Sequence, residues 1–306
     1  MKNLFVDAST ARDIDRRVAK ILRDLDYSSG KVELKEVREL LKLDLHYYKS
    51  TDDGLLKVIV HKLRVGAKQV IKRPLLLLEA IKKFDLKALF IPDRKRILIA
   101  SDLPDLKKRW SEGHEILHSV CPWHGEYMLG DDKTTLSPMC HEIIESEANY
   151  GTGKLLFPAH NFLEISKGKP MSFEHIRSIS GHFGNTLTST LWRYVENSDA
   201  LSLGLIGEHP RHARAGEPSI SYFIRSPKFA AEFESTTEEQ LYKCLQSYCR
   251  YNKGGPLGQA VIVLTDDNSV KHEFKFESFS TTYHTLTLAV QLRKHPVSEV
   301  VLANIV

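Results

Sequence analysis

The sequence predicts an α+β protein with antiparallel strands, and three observations carry that reading. Ala88-Leu89-Phe90-Ile91 and Arg96-Ile97-Leu98-Ile99-Ala100 flank the turn residues Pro92-Asp93-Arg94-Lys95, the pattern of a β-hairpin. Stretches with apolar residues at helical spacing lie on both sides of that hairpin. Beyond residue 200, short β-rich runs such as Ile220-Ser221-Tyr222-Phe223-Ile224 and Ala260-Val261-Ile262-Val263-Leu264 are separated by turn residues.

The elements follow in order. Ile14, Val18, Ile21, Leu22 and Leu25 keep helical spacing behind Ser9 or Thr10 as cap, and Val37, Leu40 and Leu41 indicate a second short helix. Leu43, Leu45 and Tyr47 alternate with polar neighbours, as in a strand. After the hairpin, whose strand 96–100 is expected at a sheet edge, Asp102-Leu103-Pro104 supplies helix-start chemistry with Asp or Ser as cap. Residues 142–150 read as a further helix. Residues 172–197 read as two helices, 173–179 and 185–195, broken by Gly181 and Gly184. Ser235-Thr236-Thr237-Glu238 is a capping box opening a helix through Leu241, Leu245 and Tyr248. Strands through Phe274-Lys275-Phe276 and Leu286-Thr287-Leu288-Ala289-Val290 complete an α+β C-terminal domain. Gly and Pro punctuation divides the chain into residues 1–166, a helical segment 167–200 and a domain 201–306.

Composition excludes several classes. The chain has 306 residues, 42% hydrophobic and 27% charged, enough to bury a core and unlike a disordered protein. No apolar run approaches the ~20 residues of a bilayer span, and Met1 to Asp7 hold no apolar stretch of the length a secretory signal is expected to have. Four cysteines make no disulfide scaffold, so a reducing cytoplasm is the expected compartment. Net charge is +4, but residues 57–109 hold fifteen Lys and Arg against five Asp and Glu. Such a segment reads as a solvated helix face, with nucleic acid or an acidic partner as the other reading.

The chemistry sits in His114-Glu115-Ile116-Leu117-His118, H-E-x-x-H in a helix. Histidines at i and i+4 project from one face, so both imidazoles reach a single Zn²⁺, and Glu115 stands beside the ion as a proton acceptor. A third ligand is needed, and the helix 142–150 offers Glu142, Glu145 and Glu147, the last preceding the small Ala148. His124 and Tyr150 are candidate oxyanion donors, and Trp123 reads as a lid or core aromatic. Cys121, His124, Cys140 and His141 offer a second, structural zinc site, against the simpler reading of unrelated residues. Cys244 and Cys249 read as core residues.

These residues give the chain a resemblance to the ImmA/IrrE-type metallopeptidases. That group has H-E-x-x-H followed by a helix reading roughly E-A-N-x-F-A-x-x-L-L-x-P. Here the second motif is Glu147-Ala148-Asn149-Tyr150-Gly151-Thr152-Gly153-Lys154-Leu155-Leu156-Phe157-Pro158. Residues 91–99 also resemble the family's strand before the active helix, so the match spans about residues 30–160. The resemblance implies a zincin-like metallopeptidase domain with a small antiparallel sheet and active-site helices, and a sensor-like C-terminal domain. It implies Zn²⁺ on His114, His118 and Glu147, and a substrate that is a transcriptional repressor, cleaved to derepress stress or mobile-element genes. Gly151-Thr152 departs from the family's F-A, and two glycines, Gly151 and Gly153, weaken a helix interior by about 1 kcal/mol each.

Two other readings stand beside the endopeptidase. One is a regulatory protein that binds DNA or protein on a zincin scaffold, its two middle helices laid out like a helix-turn-helix. Its second helix, however, holds one basic residue, Arg193. The other is a toxin–antitoxin or phage-defence component using the same chemistry.

Overall fold

The computed structural model describes residues 6–48, 88–91, 95–124, 138–167, 169–208, 220–250, 254–281 and 284–294. Most of the basic stretch after residue 57 and the hairpin turn 92–94 lie outside them. The chain is α+β, as expected, and divides into two compact units.

The first unit comprises the described residues among 3–164, together with 181–186. Helices α1 (Ala8–Asp24) and α2 (Leu34–Leu41) precede strand β1 (Asp44–Tyr48), the hairpin β2 (Ala88–Ile91) and β3 (Arg96–Ala100), and helices α3 (Asp105–Val120), α4 (Pro138–Leu156) and α5 (Ala159–Ser166). Asp7 caps α1, accepting from the backbone N–H groups of Ser9 and Thr10, so the expected cap residues lie in the first turn. Pro104 occupies the N-cap position of α3, where no side chain caps, contrary to the expected Asp or Ser.

The sheet order is β1-β3-β2, and two expectations change here. The sheet is mixed: β2 runs antiparallel to β3, but β1 runs parallel to it. Strand β3 is central, not an edge, which accords with the complete burial of Ile97, Leu98, Ile99 and Ala100. Among the described residues the edges are β1 and β2.

Helix α3 packs on β2 and β3 and is buried around most of its circumference, including Arg109, Glu112, Gly113 and Glu115 through His118. Two of its buried charged side chains, Glu112 and Arg109, are hydrogen-bonded. Arg38 of α2 donates to Glu112 at 2.6 Å, and Arg109 donates to the Asn185 side chain and the Phe183 carbonyl. Asn185 in turn donates to the Leu156 carbonyl at the end of α4, which ties residues 183–185 to both helices.

Helix α4 runs unbroken through both glycines. At Gly151 an added Cβ would overlap Leu117 Cδ1 and lie 2.8 Å from its Cγ, with Ile14 Cγ2 at 3.0 Å. At Gly113 an added Cβ would meet Thr152 Cγ2 at 3.3 Å. The departure from the family pattern is therefore a packing solution: a glycine on each helix brings α3 and α4 close together. Nothing lies within 4 Å of a Cβ at Gly153.

The second unit comprises the described residues among 165–180 and 187–306, so most of the helical segment groups with the C-terminal sheet. Helix α6 (Phe173–Phe183) continues through Gly181 and ends at Gly184, whose φ is +63°. Helix α7 (Leu187–Glu196) follows. Strands β4 (Ser202–Gly207), β5 (Ile220–Arg225), β6 (Gly255–Thr265), β7 (Lys271–Ser280) and β8 (Thr285–Lys294) form an antiparallel sheet ordered β5-β4-β8-β7-β6. Between β5 and β6, α8 (Pro227–Glu232) and α9 (Glu238–Tyr248) cover one face, where Phe229, Phe233, Leu241 and Leu245 meet Leu203, Leu205, Phe223, Phe274 and Phe276. The capping box of α9 is Thr237 with Gln240, not the four residues from Ser235. Helix α7 packs on β4 and β5 and buries Leu191, Arg193, Tyr194 and Val195, and Arg193 pairs with Glu196. The helix that a DNA-binding reading would lay in a groove thus turns its one basic side chain inward.

The α3–α4 contact yields a stability prediction. Gly151→Ala should lower unfolding free energy by about 1–3 kcal/mol through overpacking, whereas Gly153→Ala should raise it by up to ~1 kcal/mol through helix propensity. Urea denaturation measures both, and a Gly151→Ala protein as stable as the parent would refute the close-packing account.

Candidate metal centre

The i, i+4 spacing on α3 aims His114 and His118 the same way, and their Nε2 atoms lie 3.0 Å apart. The third group is Glu145. Its Oε2 is 3.1 Å from His114 Nε2, and its Oε1 is 3.6 Å from His118 Nε2. A tetrahedral ion with ligands at about 2.0–2.1 Å places neighbouring donor atoms about 3.3–3.4 Å apart, which these three distances bracket. His118 is 3% exposed and His114 14%, while Glu145 at 40% leaves one side of the triangle open.

Hydrogen bonds at the far nitrogens agree with ligation. His114 Nδ1 lies 3.1 Å from Asn149 Oδ1, an acceptor, so the proton sits on Nδ1 and Nε2 faces the triangle. Electrostatics favour a cation there. Burial opposes ionisation of Glu145, but the two imidazoles hold its carboxyl well below the usual carboxylate range. Burial pushes His114 down, and Glu145 and Glu115 more than offset that. His118 is lowered to about 4, first by burial, and is neutral at pH 7. Two imidazoles and a carboxylate converging on one point are a donor set that fits a divalent ion.

Glu115 is 5% exposed beside the first histidine. Burial raises its carboxyl to about 7, against the pull of His114, and the Phe90 backbone N–H of β2 donates to it.

The expected third ligand, Glu147, is elsewhere. Residues 145 and 147 differ by about 200° around a helix, so they cannot both face the imidazole pair. Glu145, Asn149 and Thr152 share the stripe toward α3, at i, i+4 and i+7. Glu147 Oε2 instead accepts from His124 Nε2 at 2.8 Å and Trp123 Nε1 at 2.7 Å. Burial works against its ionisation, but these two bonds hold its pKa below the ordinary value. A cavity of about 430 Å³ lined by Ser9, Thr10, Asp13, Trp123, Ile143, Ile144 and Glu147 lies on this side.

Neither expected oxyanion donor faces the open side. His124 is fully buried and its ring nitrogens meet His118 Nδ1, at 3.0 Å, and Glu147. The Tyr150 hydroxyl donates to Asp15 on α1, with Lys154 over its ring. Trp123 is half-buried, with the Arg17 guanidinium 5.4 Å from its ring centre. For the four-residue zinc alternative, the Cys140 and His141 side chains lie outside the described set. Cys121 is buried, and burial pushes its thiol up to about 12.

A second cluster that could hold a metal, Glu232, Asp266 and His272, occurs in the C-terminal unit and went unnoticed in the sequence. There Asp266 Oδ1 closes the β6–β7 turn by accepting from the N–H groups of Asn268 and Val270, and Oδ2 pairs with His272 Nε2 at 3.0 Å. Lys228, Arg293 and Lys294 line the adjoining cavity, which works against a cation.

The class defined so far is an α+β protein with a half-buried His-His-Glu cluster able to hold a metal. No protein-family model matches the chain, and no curated protein matches it. Among solved structures it is similar to a Mycobacterium tuberculosis transcriptional regulator, with 12% identity, a TM-score of 0.53, and coverage of 92% of this chain and 88% of that one. At that identity the likeness concerns the fold alone. No helix among the described residues is long and apolar enough to cross a membrane.

Removal of Glu145 should therefore strongly weaken divalent binding. Zinc titration against a chromophoric chelator should show Glu145→Ala weakened by more than the ~10–100-fold typical of losing an outer partner. Equal affinity in Glu145→Ala and the parent would remove Glu145 from the centre.

Proposed function

We propose that this chain is a zinc-dependent endopeptidase of the ImmA/IrrE type, with His114, His118 and Glu145 as the metal ligands. The observation that supports it is the convergence of these three side chains on one open-sided triangle. When bound, the ion supplies a Lewis acid for the scissile carbonyl and acidifies nearby water. Glu115 accepts the proton of the attacking water and passes it to the leaving amine nitrogen. Its burial next to His114 suits it to that exchange, because a carboxyl raised to about 7 both takes and gives a proton near neutrality. Strand β2, an edge among the described residues, offers backbone groups for an extended peptide in place of the central β3.

By the family resemblance, the substrate is a transcriptional repressor and its cleavage derepresses stress or mobile-element genes. A cytoplasmic setting goes with this reading and with the free Cys121, Cys244 and Cys249. The zincin-like fold belongs to the same proposal.

Glu115→Gln should keep zinc and lose ~10²–10⁴-fold in cleavage of a quenched-fluorescence peptide library. A chelator should silence the parent and added zinc restore it. Parent-like cleavage by Glu115→Gln refutes the general-base role, and a zinc-loaded parent that cuts no peptide refutes the hydrolase.

A second reading, a transcription regulator, draws on the printed description of the structural neighbour. Helix α7 contributes little to it, since Arg193 is buried. Duplex DNA binding that weakens steeply with salt would favour this alternative.

A further inference from the structure

We propose that strand β6 is a pairing edge for a second copy of this chain, with residues 259–265 adding antiparallel to the same residues of the partner across a two-fold axis. Among the described residues β6 ends the five-stranded sheet and pairs with β7 alone. The start of its free side is covered. The Leu257 carbonyl accepts from the Arg250 N–H, and a Cβ at Gly258 would meet the Tyr248 carbonyl at 2.9 Å. From Gln259 to Thr265 that side is open.

Backbone direction follows from the turn after the strand. Asp266 N–H donates to the Val270 carbonyl, so residue 266 faces β7. Strand residues bond alternately to one side and the other, and the irregularity in the β6–β7 ladder lies earlier, between Pro256 and Gly258. Leu264, Ile262 and Ala260 therefore bond β7. The N–H and C=O groups of Gln259, Val261, Val263 and Thr265 face outward and take no partner among the described residues.

Open edges are ordinarily blunted by charge, proline or shortness. The other edge, β5, is six residues long and ends in Arg225. Gln259-Ala260-Val261-Ile262-Val263-Leu264-Thr265 has no charge and no proline, and such a segment aggregates unless it is paired. Val261 is 59% exposed and Val263 49%. On the opposite face Ile262 and Leu264 are only partly covered by the core. An added strand buries aliphatic surface on both faces.

Charge selects the occupant. Two-fold pairing sets a strand against its own copy, so a charge near the axis meets its own kind. Strands β7 and β8 carry Lys271, Glu273, Lys275, Glu277, Arg293 and Lys294, whereas β6 carries no charge. A charged peptide finds no complement there, and a second copy brings the same neutral edge. Overlap of the whole open stretch centres the axis on Ile262. Val261 then lies opposite the partner's Val263, and Ala260 opposite the partner's Leu264, so like faces meet like.

The test is sedimentation velocity of the full chain at micromolar concentration, with amide hydrogen exchange. The parent should sediment at twice 34.9 kDa, with the outward amides of Val261 and Val263 protected. In Val261→Lys/Val263→Lys the new ammoniums oppose each other across the axis, and the mass should halve. Val261→Pro removes an N–H that β7 does not use, so it should also give a monomer with the β6–β7 ladder intact. Far-UV circular dichroism checks that both variants fold. A monomeric parent overturns the proposal, and protected Val261 and Val263 amides in that monomer would identify another segment of the chain as the occupant. A dimer that survives both variants overturns it as well, by placing the interface elsewhere. None of these outcomes bears on the metal centre.

Discussion

The close approach of α3 and α4 is the constraint on which the candidate centre depends. One helix supplies both imidazoles and the other supplies the carboxylate, so the triangle exists only if the two backbones come near enough for a glutamate to span the gap. Gly113 and Gly151 permit that approach, each where a Cβ would press on the opposite helix. A helix-interior glycine costs about 1 kcal/mol relative to alanine, and here that local loss is offset by interhelical packing of Leu117, Ile14 and Thr152. Behind α3, the buried Ile97 to Ala100 of β3 form a backing, and Arg38–Glu112 and Arg109–Asn185 fix the helix's other contacts.

Around the triangle, polar groups are arranged so that each far nitrogen has a defined partner. Asn149 serves His114, and His124 with Glu147 serves His118. Two glutamates only two residues apart thus take opposite places. Glu145 touches both Nε2 atoms, and Glu147 stands behind His118 with one imidazole between them. Such division of labour is common where a metal ligand needs both a charge in front and an orienting acceptor behind. The C-terminal unit has a different character. Its aromatic core fills the space between sheet and helices, and its His272–Asp266 pair closes a turn.

Much of the fold was legible because it is written in local periodicity and turn chemistry. The hairpin strands, the first two helices and the later strands β5 to β8 follow from apolar spacing and from Pro, Asp and Gly between runs. What went unread had no local signature. Strand β4 is buried on both faces, so Ser202 to Gly207 shows no alternation. The sheet order, the parallel pairing of β1 with β3 and the central place of β3 depend on connections through residues far apart in sequence. Helix α6 reads through Gly181 because that position points to open space, whereas Gly184 stops it by adopting positive φ.

For the centre itself, sequence alone determined the pair His114 and His118 and the place of Glu115, because four-residue spacing on a helix is a matter of backbone geometry. It also narrowed the third ligand to three glutamates on one helix. Tertiary structure chose among them. The rotation of α4 about its axis is set by how Gly151 and Thr152 pack against α3, and a turn of 200° separates the side that faces the imidazoles from the side that faces Trp123. Motif spelling carries no information about that rotation, so it could not tell Glu145 from Glu147, nor reveal that His124 and Tyr150 point away from the open side.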